Sequence, residues 1–180
     1  MTTIHVCPLT HVETVATETR PARVISLLDP QTTFPTIKGY AEDRHHRVSI
    51  DDIADAVPGF TAPEAPHVER LVTFLEGWDP DTPLLVHCWA GISRSTATAF
   101  IGACLHNPQT DEGMIAKALR RCSPTAFPNR RIIALADDVL GRDGRMVAAI
   151  EGMGRGMPAM VAEPFSIPAR YSIDQPNTGE

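Results

Sequence analysis

Residues 84–95 read Leu84-Leu85-Val86-His87-Cys88-Trp89-Ala90-Gly91-Ile92-Ser93-Arg94-Ser95. The apolar opening reads as a short buried strand. Pro83 sits just before it, where a missing N–H harms a sheet least. The run Thr96-Ala97-Thr98-Ala99-Phe100-Ile101 that follows reads as a helix, with its first turn near Ser93 to Ser95. A tight loop between such a strand and helix turns several backbone N–H groups inward. The helix N-terminus adds unpaired donors and a partial positive charge. Together these suit a tetrahedral anion. Gly91 supplies a residue that can take positive φ and bring backbone close to a ligand. Arg94 can grip two oxygens in a bidentate fork, which lysine cannot reproduce.

Cys88 then lies at the floor of an electropositive cup. Thiolates are favoured at helix N-termini and beside cations, and a thiolate here can attack phosphorus in line. Ser95 can donate a hydrogen bond to the sulfur as it departs, and His87 can order the loop through its ring nitrogens. Taken singly, each residue has a plainer role. Cysteine is most often an inert buried hydrophobe, a histidine a satisfied core group, an arginine a surface charge. Their coincidence at one strand–loop–helix junction points to phosphate chemistry.

Working outward, strands alternate with helices. Residues 3–7 read as an edge strand, and 11–19 as a helix ended by Pro21. Residues 22–28 and 46–50 read as strands. Val68, Leu71, Val72 and Leu75 give 66–77 the spacing of a helix packed on a sheet. Residues 94–106, 111–121, 128–140 and 144–152 read as further helices, the second capped by Asp111. The expected fold is α/β: a mostly parallel central sheet of four to five strands with helices on both faces. A catalytic domain is expected over 1–152. Residues 153–180 turn rich in Pro, Gly and Met and read as an extended tail. It either wraps the domain or a partner subunit through Met157, Met160, Phe165 and Ile167, or is a disordered end.

On the motif around Cys88 the chain resembles the cysteine-dependent protein tyrosine phosphatases, and most of all their compact dual-specificity branch. The resemblance covers roughly residues 22–140. It implies Cys88 as nucleophile, Arg94 as phosphate clamp, Ser95 as the assisting hydroxyl and His87 as the preceding histidine. Trp89, Ala90, Gly91, Ile92, Ser93 and Arg94 form the implied phosphate loop. Pro128-Asn129, ahead of the apolar-periodic Ile132-Ile133-Ala134-Leu135, is similar to a family turn whose asparagine braces that loop. Val48-Ser49-Ile50-Asp51-Asp52 is similar to the strand and aspartate that supply the family's general acid. Asp52 lies 36 residues before Cys88, a slightly long gap that Pro58-Gly59 and Pro63 to Pro66 accommodate as a small insertion.

The chain itself narrows the acid. Expelling an ester oxygen unprotonated is costly, so a carboxylic acid within hydrogen-bond reach is expected. Ligands of open α/β sheets sit beyond the carboxyl ends of strands. Asp29, Asp51 and Asp52 each follow a strand and share that edge with Cys88; Asp79 and Asp81 precede one. The family alignment favours Asp52, with Asp51 as the alternative and Asp29 still open. Either member of the 51–52 pair also suits a helix cap.

The whole chain, 180 residues at net charge −6, suits one domain with a full core and argues against nucleic-acid or membrane-surface partners. The expected partner is a phosphorylated protein or a small phosphate ester. Two doublets, Arg120-Arg121 and Arg130-Arg131, are either a basic rim for such substrates or a solvated helix face. Cys7, Cys88, Cys104 and Cys122 show no paired spacing, which fits a reducing cytoplasm. His5, His11, His45, His46, His67 and His106 show no metal-ligand pattern. The expected chemistry needs no metal and no cofactor. Trp89 is expected at the pocket rim. A phosphoinositide substrate and a silent phosphate-binding module are the alternatives; the first would favour extra basic residues in the loop, which holds only Arg94.

Overall fold

In the computed structural model, which describes residues 2–171, the elements run β1 (Thr3–Pro8), α1 (Val12–Thr19), β2 (Arg23–Leu28), β3 (His45–Ser49), α2 (Ala65–Glu76), β4 (Leu84–Cys88), α3 (Arg94–His106), α4 (Glu112–Cys122), α5 (Arg130–Val139), α6 (Arg145–Met153) and β5 (Phe165–Pro168). The sheet order is β3-β2-β4-β1-β5. The first four strands are parallel, and β5 runs antiparallel to β1 with Ile4 opposite Ile167. This is the expected α/β architecture. Among the described residues, no helix is long and apolar enough to cross a membrane.

Strand alternation divides the core. Ile4, Val6, Ile25, Leu27, Val86 and Cys88 join one cluster with residues of α2 through α6. Cys7, Val24 and Leu85 point the other way and join Val12, Val15 and Ala16 of α1. The sheet is thus covered by five helices on one face and by α1 on the other. Strand β4 lies at its centre, and every residue from Leu84 to Cys88 is buried.

Helix α3 is buried along nearly its whole length, from Arg94 to Cys104. A helix enclosed all round belongs to the middle of a core. The Thr98 hydroxyl is turned onto the helix's own backbone, donating to the Arg94 carbonyl at 3.0 Å. The consequence is a helix N-terminus held deep in protein, where its field is weakly screened.

The expected edge strand at 3–7 is an interior strand instead. Residues 165–168 pair along its open side, and Ile4, Val6 and Ile167 are fully buried. β5 is four residues long, follows Pro164 and ends on Pro168, so its own sequence carries no strand signal. Only a distant partner, β1 at the other end of the domain's sequence, defines it. Residues 172–180 of the expected tail lie outside the described residues.

Buried charge knits the helices together. Arg142 donates to Glu112 at 3.0 Å, with both side chains almost fully buried, and its other arm reaches the Cys104 carbonyl at 2.8 Å. Removing one partner leaves the other charge buried and unpaired. Glu112→Ala is expected to lower stability by about 3–5 kcal/mol. Asp81→Ala, which breaks the exposed pair with Arg170, is expected to leave the urea midpoint unmoved. Parallel urea unfolding of the two variants checks the contrast.

Candidate active site

The loop after β4 takes its shape from where its carbonyls go. The Trp89 carbonyl accepts from the Leu9 amide at 3.2 Å and the Ala90 carbonyl from the Ala162 amide at 2.9 Å. The Ile92 carbonyl accepts from the Phe127 amide at 2.9 Å and from the Thr96 hydroxyl. The Ser93 carbonyl accepts from the Asn129 amide at 3.3 Å. Three separate chain segments, at Leu9, at Phe127 to Asn129 and at Ala162, hold these oxygens outward. The amides of residues 90–93 find no protein acceptor among the described residues. Gly91 permits the turn: its φ is +72°, and a Cβ there would lie 2.9 Å from the Pro8 nitrogen. Only glycine fits both conditions.

Cys88 is buried at the base of this loop, and its Sγ lies 3.1 Å from the Ser95 Oγ. Arg94, also buried, donates from Nη1 to the Ile50 carbonyl at 2.6 Å, while its Nε has no partner. Helix α3 has no side-chain cap. A buried cationic nitrogen without a protein acceptor beside uncapped helix amides is an arrangement suited to an anion.

The two neighbouring aspartates separate clearly. Asp52 Oδ1 accepts from Ser93 Oγ at 2.6 Å and from Asn129 Nδ2 at 2.8 Å. Its Oδ2 has no hydrogen bond among the described residues. Asp51 is tied to Thr61 instead, through its own amide at 2.8 Å and through Oδ2 at 2.6 Å. It closes the 51–61 loop. Asp29 bonds the Thr32 hydroxyl at 2.8 Å, and that bond holds its carboxyl below the usual range, as does the more distant Arg94 charge. A group so held is a poor store for a proton. Asn129 caps α5 through Oδ1, which accepts from the Arg131 and Ile132 amides at 3.1 Å each. Its side chain therefore braces Asp52, and its backbone amide reaches the loop.

His87 turns away from the loop. Its Nε2 lies 2.5 Å from Ser26 Oγ on β2, and the same hydroxyl lies 2.7 Å from His45 Nε2 on β3. All three residues are buried, and neither Nδ1 has a hydrogen-bond partner. Burial pushes both imidazoles down to about 4, helped at His45 by Arg47 and at His87 by His45 and Arg94. The pair stays neutral at ordinary pH. Ser26 stands out in the sequence as the polar residue inside Val24-Ile25-Ser26-Leu27-Leu28, but only the register shows that it meets His87.

A cleft of about 690 Å³ opens beside the loop. Ala90, Ile92 and Ser93 line one side of it; Arg130, Glu151, Arg155 and Met160 contribute elsewhere. The last three were outside the sequence-based site. Trp89 lies exposed on the loop. The arginine doublets divide: one member of each is tied to backbone carbonyls and the other is exposed. Arg120 bonds the Pro124, Ala126 and Gly154 carbonyls, and Arg131 bonds the Pro63 carbonyl. Of the four, only Arg130 lines the cleft.

Solved structures share this arrangement of elements. PTP-2 phosphatase from Cydia pomonella matches with a TM-score of 0.57 at 20% identity, over 75% of this chain and 84% of that one. Human DUSP28 matches at 0.57 and 16% identity, over 78% and 94%. PTPMT1 in complex with PI(5)P matches at 0.50 and 13% identity, over 77% and 90%. No family model and no curated protein matches the sequence. The likeness shows the fold, which is that of the dual-specificity phosphatases.

The histidine row sets a pH dependence. Unfolded imidazoles gain protons near their ordinary 6.5, but the folded pair does so only near 4. The unfolded state therefore binds more protons within that window, and stability falls as pH drops through it. The loss at pH 4.5 relative to pH 7 is expected to be on the order of a few kcal/mol from this pair. His45→Asn should flatten that slope in urea unfolding measured at both pH values.

Proposed function

We propose that the protein is a cysteine-dependent phosphomonoesterase acting on phosphotyrosine in polypeptides, with phosphoserine and phosphothreonine as further substrates of the same site. The observation that carries this reading is the loop of unpaired amides around Cys88, completed by the unpartnered Nε of Arg94. The phosphoryl oxygens would sit on those amides and on the guanidinium. The Cys88 thiolate attacks phosphorus as the bond to the ester oxygen breaks, and Asp52 gives that oxygen its proton. A cysteinyl-phosphate results. Water then attacks phosphorus and leaves its proton on Asp52, while the P–S bond breaks and the Ser95 hydroxyl donates to the departing sulfur. Inorganic phosphate and the starting enzyme are regenerated. The step uses no metal or cofactor.

Preorganised donors suit this chemistry because they need no rearrangement as charge shifts onto the phosphoryl group. A reduced Cys88 is required, which supports a reducing compartment such as the cytoplasm. A phosphoinositide substrate is the second reading. The likeness to PTPMT1 bound to PI(5)P favours it, and the lack of any basic loop residue besides Arg94 weighs against it.

Cys88→Ser is expected to abolish hydrolysis of an aryl phosphate, and vanadate to inhibit the unaltered protein, with no divalent ion required. Activity that survives the substitution would sink the nucleophile assignment. Asp52→Ala is expected to lower kcat roughly 10²–10⁴-fold on poor leaving groups and far less on good ones. A leaving-group series run beside Asp51→Ala tests this, since Asp51→Ala should keep the slope of the unaltered protein.

A further inference from the structure

The chain beyond α6 does not leave the domain. The Gly154 carbonyl accepts from Arg120 Nη2 at 2.9 Å, and the Met157 amide donates to the Pro124 carbonyl at 2.8 Å. Gly156 passes so close to the 125–126 backbone that a Cβ would lie 2.7 Å from the Ala126 carbonyl oxygen. Further on, the Ala162 amide bonds the Ala90 carbonyl. Residues 154–162 are therefore a strap, sewn down at one end to the loop before α5 and at the other to the phosphate loop itself. Between these ties Arg155, Ala159 and Met160 line the cleft.

Its lining is mixed. Arg130 and Arg155 are exposed and form no ion pair or hydrogen bond among the described residues. Phe127 and Met160 are exposed apolar side chains, Met160 at 86%. The volume, about 690 Å³, is in the range of ligand sites and leaves room well beyond one phosphoryl group.

We propose that the strap-walled cleft docks the polypeptide on either side of the phosphorylated residue, with Arg155 and Arg130 reading an acidic side chain in that flank and Phe127 and Met160 receiving an apolar one. This rests on the phosphatase reading above. A polypeptide fits better than a lipid surface because the lining is mixed: Glu151 stands beside the two arginines and the apolar Phe127 and Met160, and a peptide's varied donors, charges and side chains can meet all of them. Charge complementarity at such a rim gives selectivity more than raw affinity.

The test uses two phosphotyrosine decapeptides, one flanked by Glu on both sides and one by Lys. Dissociation constants are measured on the Cys88→Ser protein, and kcat/KM on the protein with Cys88 intact. The Glu peptide is expected to lead roughly 3–10-fold in both. Adding Arg155→Glu should invert the ratio of the two peptides. A ratio is taken within one protein, so partial misfolding cancels from it. Equal treatment of the two peptides, or an Arg155→Glu loss equal on both, overturns the proposal. So does tighter binding to phosphatidylcholine vesicles carrying phosphatidylinositol 5-phosphate than to either peptide. Arg155-dependent binding without turnover would leave the docking site standing and remove the catalytic reading; turnover without discrimination would do the reverse.

Discussion

Four backbone carbonyls held outward by three distant parts of the chain are the constraint on which the rest depends. A peptide unit is a rigid plane, so fixing its oxygen on one side fixes its N–H on the other. Leu9, Phe127, Asn129 and Ala162 each supply an amide to one carbonyl of the loop after β4. Leu9 follows β1, Phe127 and Asn129 precede α5, and Ala162 precedes β5. The loop cannot assemble until the strands are in register and α5 and the strap are in place. Its own residues contribute little beyond compliance, which Gly91 provides through its positive φ and its missing Cβ.

The sheet explains why these parts meet. In a parallel sheet the chain leaves every strand at the same edge, so the segments after β1, β2, β3 and β4 share one rim. Pro8, Asp29, Asp52 and Cys88 are neighbours for that reason. The same geometry buries α3 against the sheet and presents its uncapped N-terminus to the rim. There the low surrounding polarizability strengthens every donor. Behind the loop, the Ser26 hydroxyl bridges the imidazoles of His45 and His87 across three adjacent strands. It fixes the ring that precedes the cysteine from the far side of β4.

The two aspartates after β3 show how fine the division of labour is. They are adjacent in sequence and chemically identical. Asp51 returns to the backbone of its own loop at Thr61, and Asp52 crosses to Ser93 and Asn129. One side chain faces the insertion and the other the cup. Asn129 joins three duties in one side chain and its amide: it caps α5, bonds Asp52 and holds the Ser93 carbonyl. A change there would be felt at the helix, the carboxylate and the loop together.

Local signals in the sequence were enough to determine the alternation of strands and helices, the parallel sheet and the junction at Cys88. Hydrophobic period, turn residues and caps act within a few positions, and the spacing from Cys88 to Arg94 lies inside one loop. The place of β1 within the sheet, the pairing of β5, the strap along the cleft and the separation of Asp52 from Asp51 were decided by tertiary structure alone. Each depends on contacts between segments far apart in the chain, such as Val6 with Phe165 or Asp52 with Asn129. No local pattern encodes such a contact. It exists only once the buried faces have chosen their partners and the free backbone groups have been shared among them.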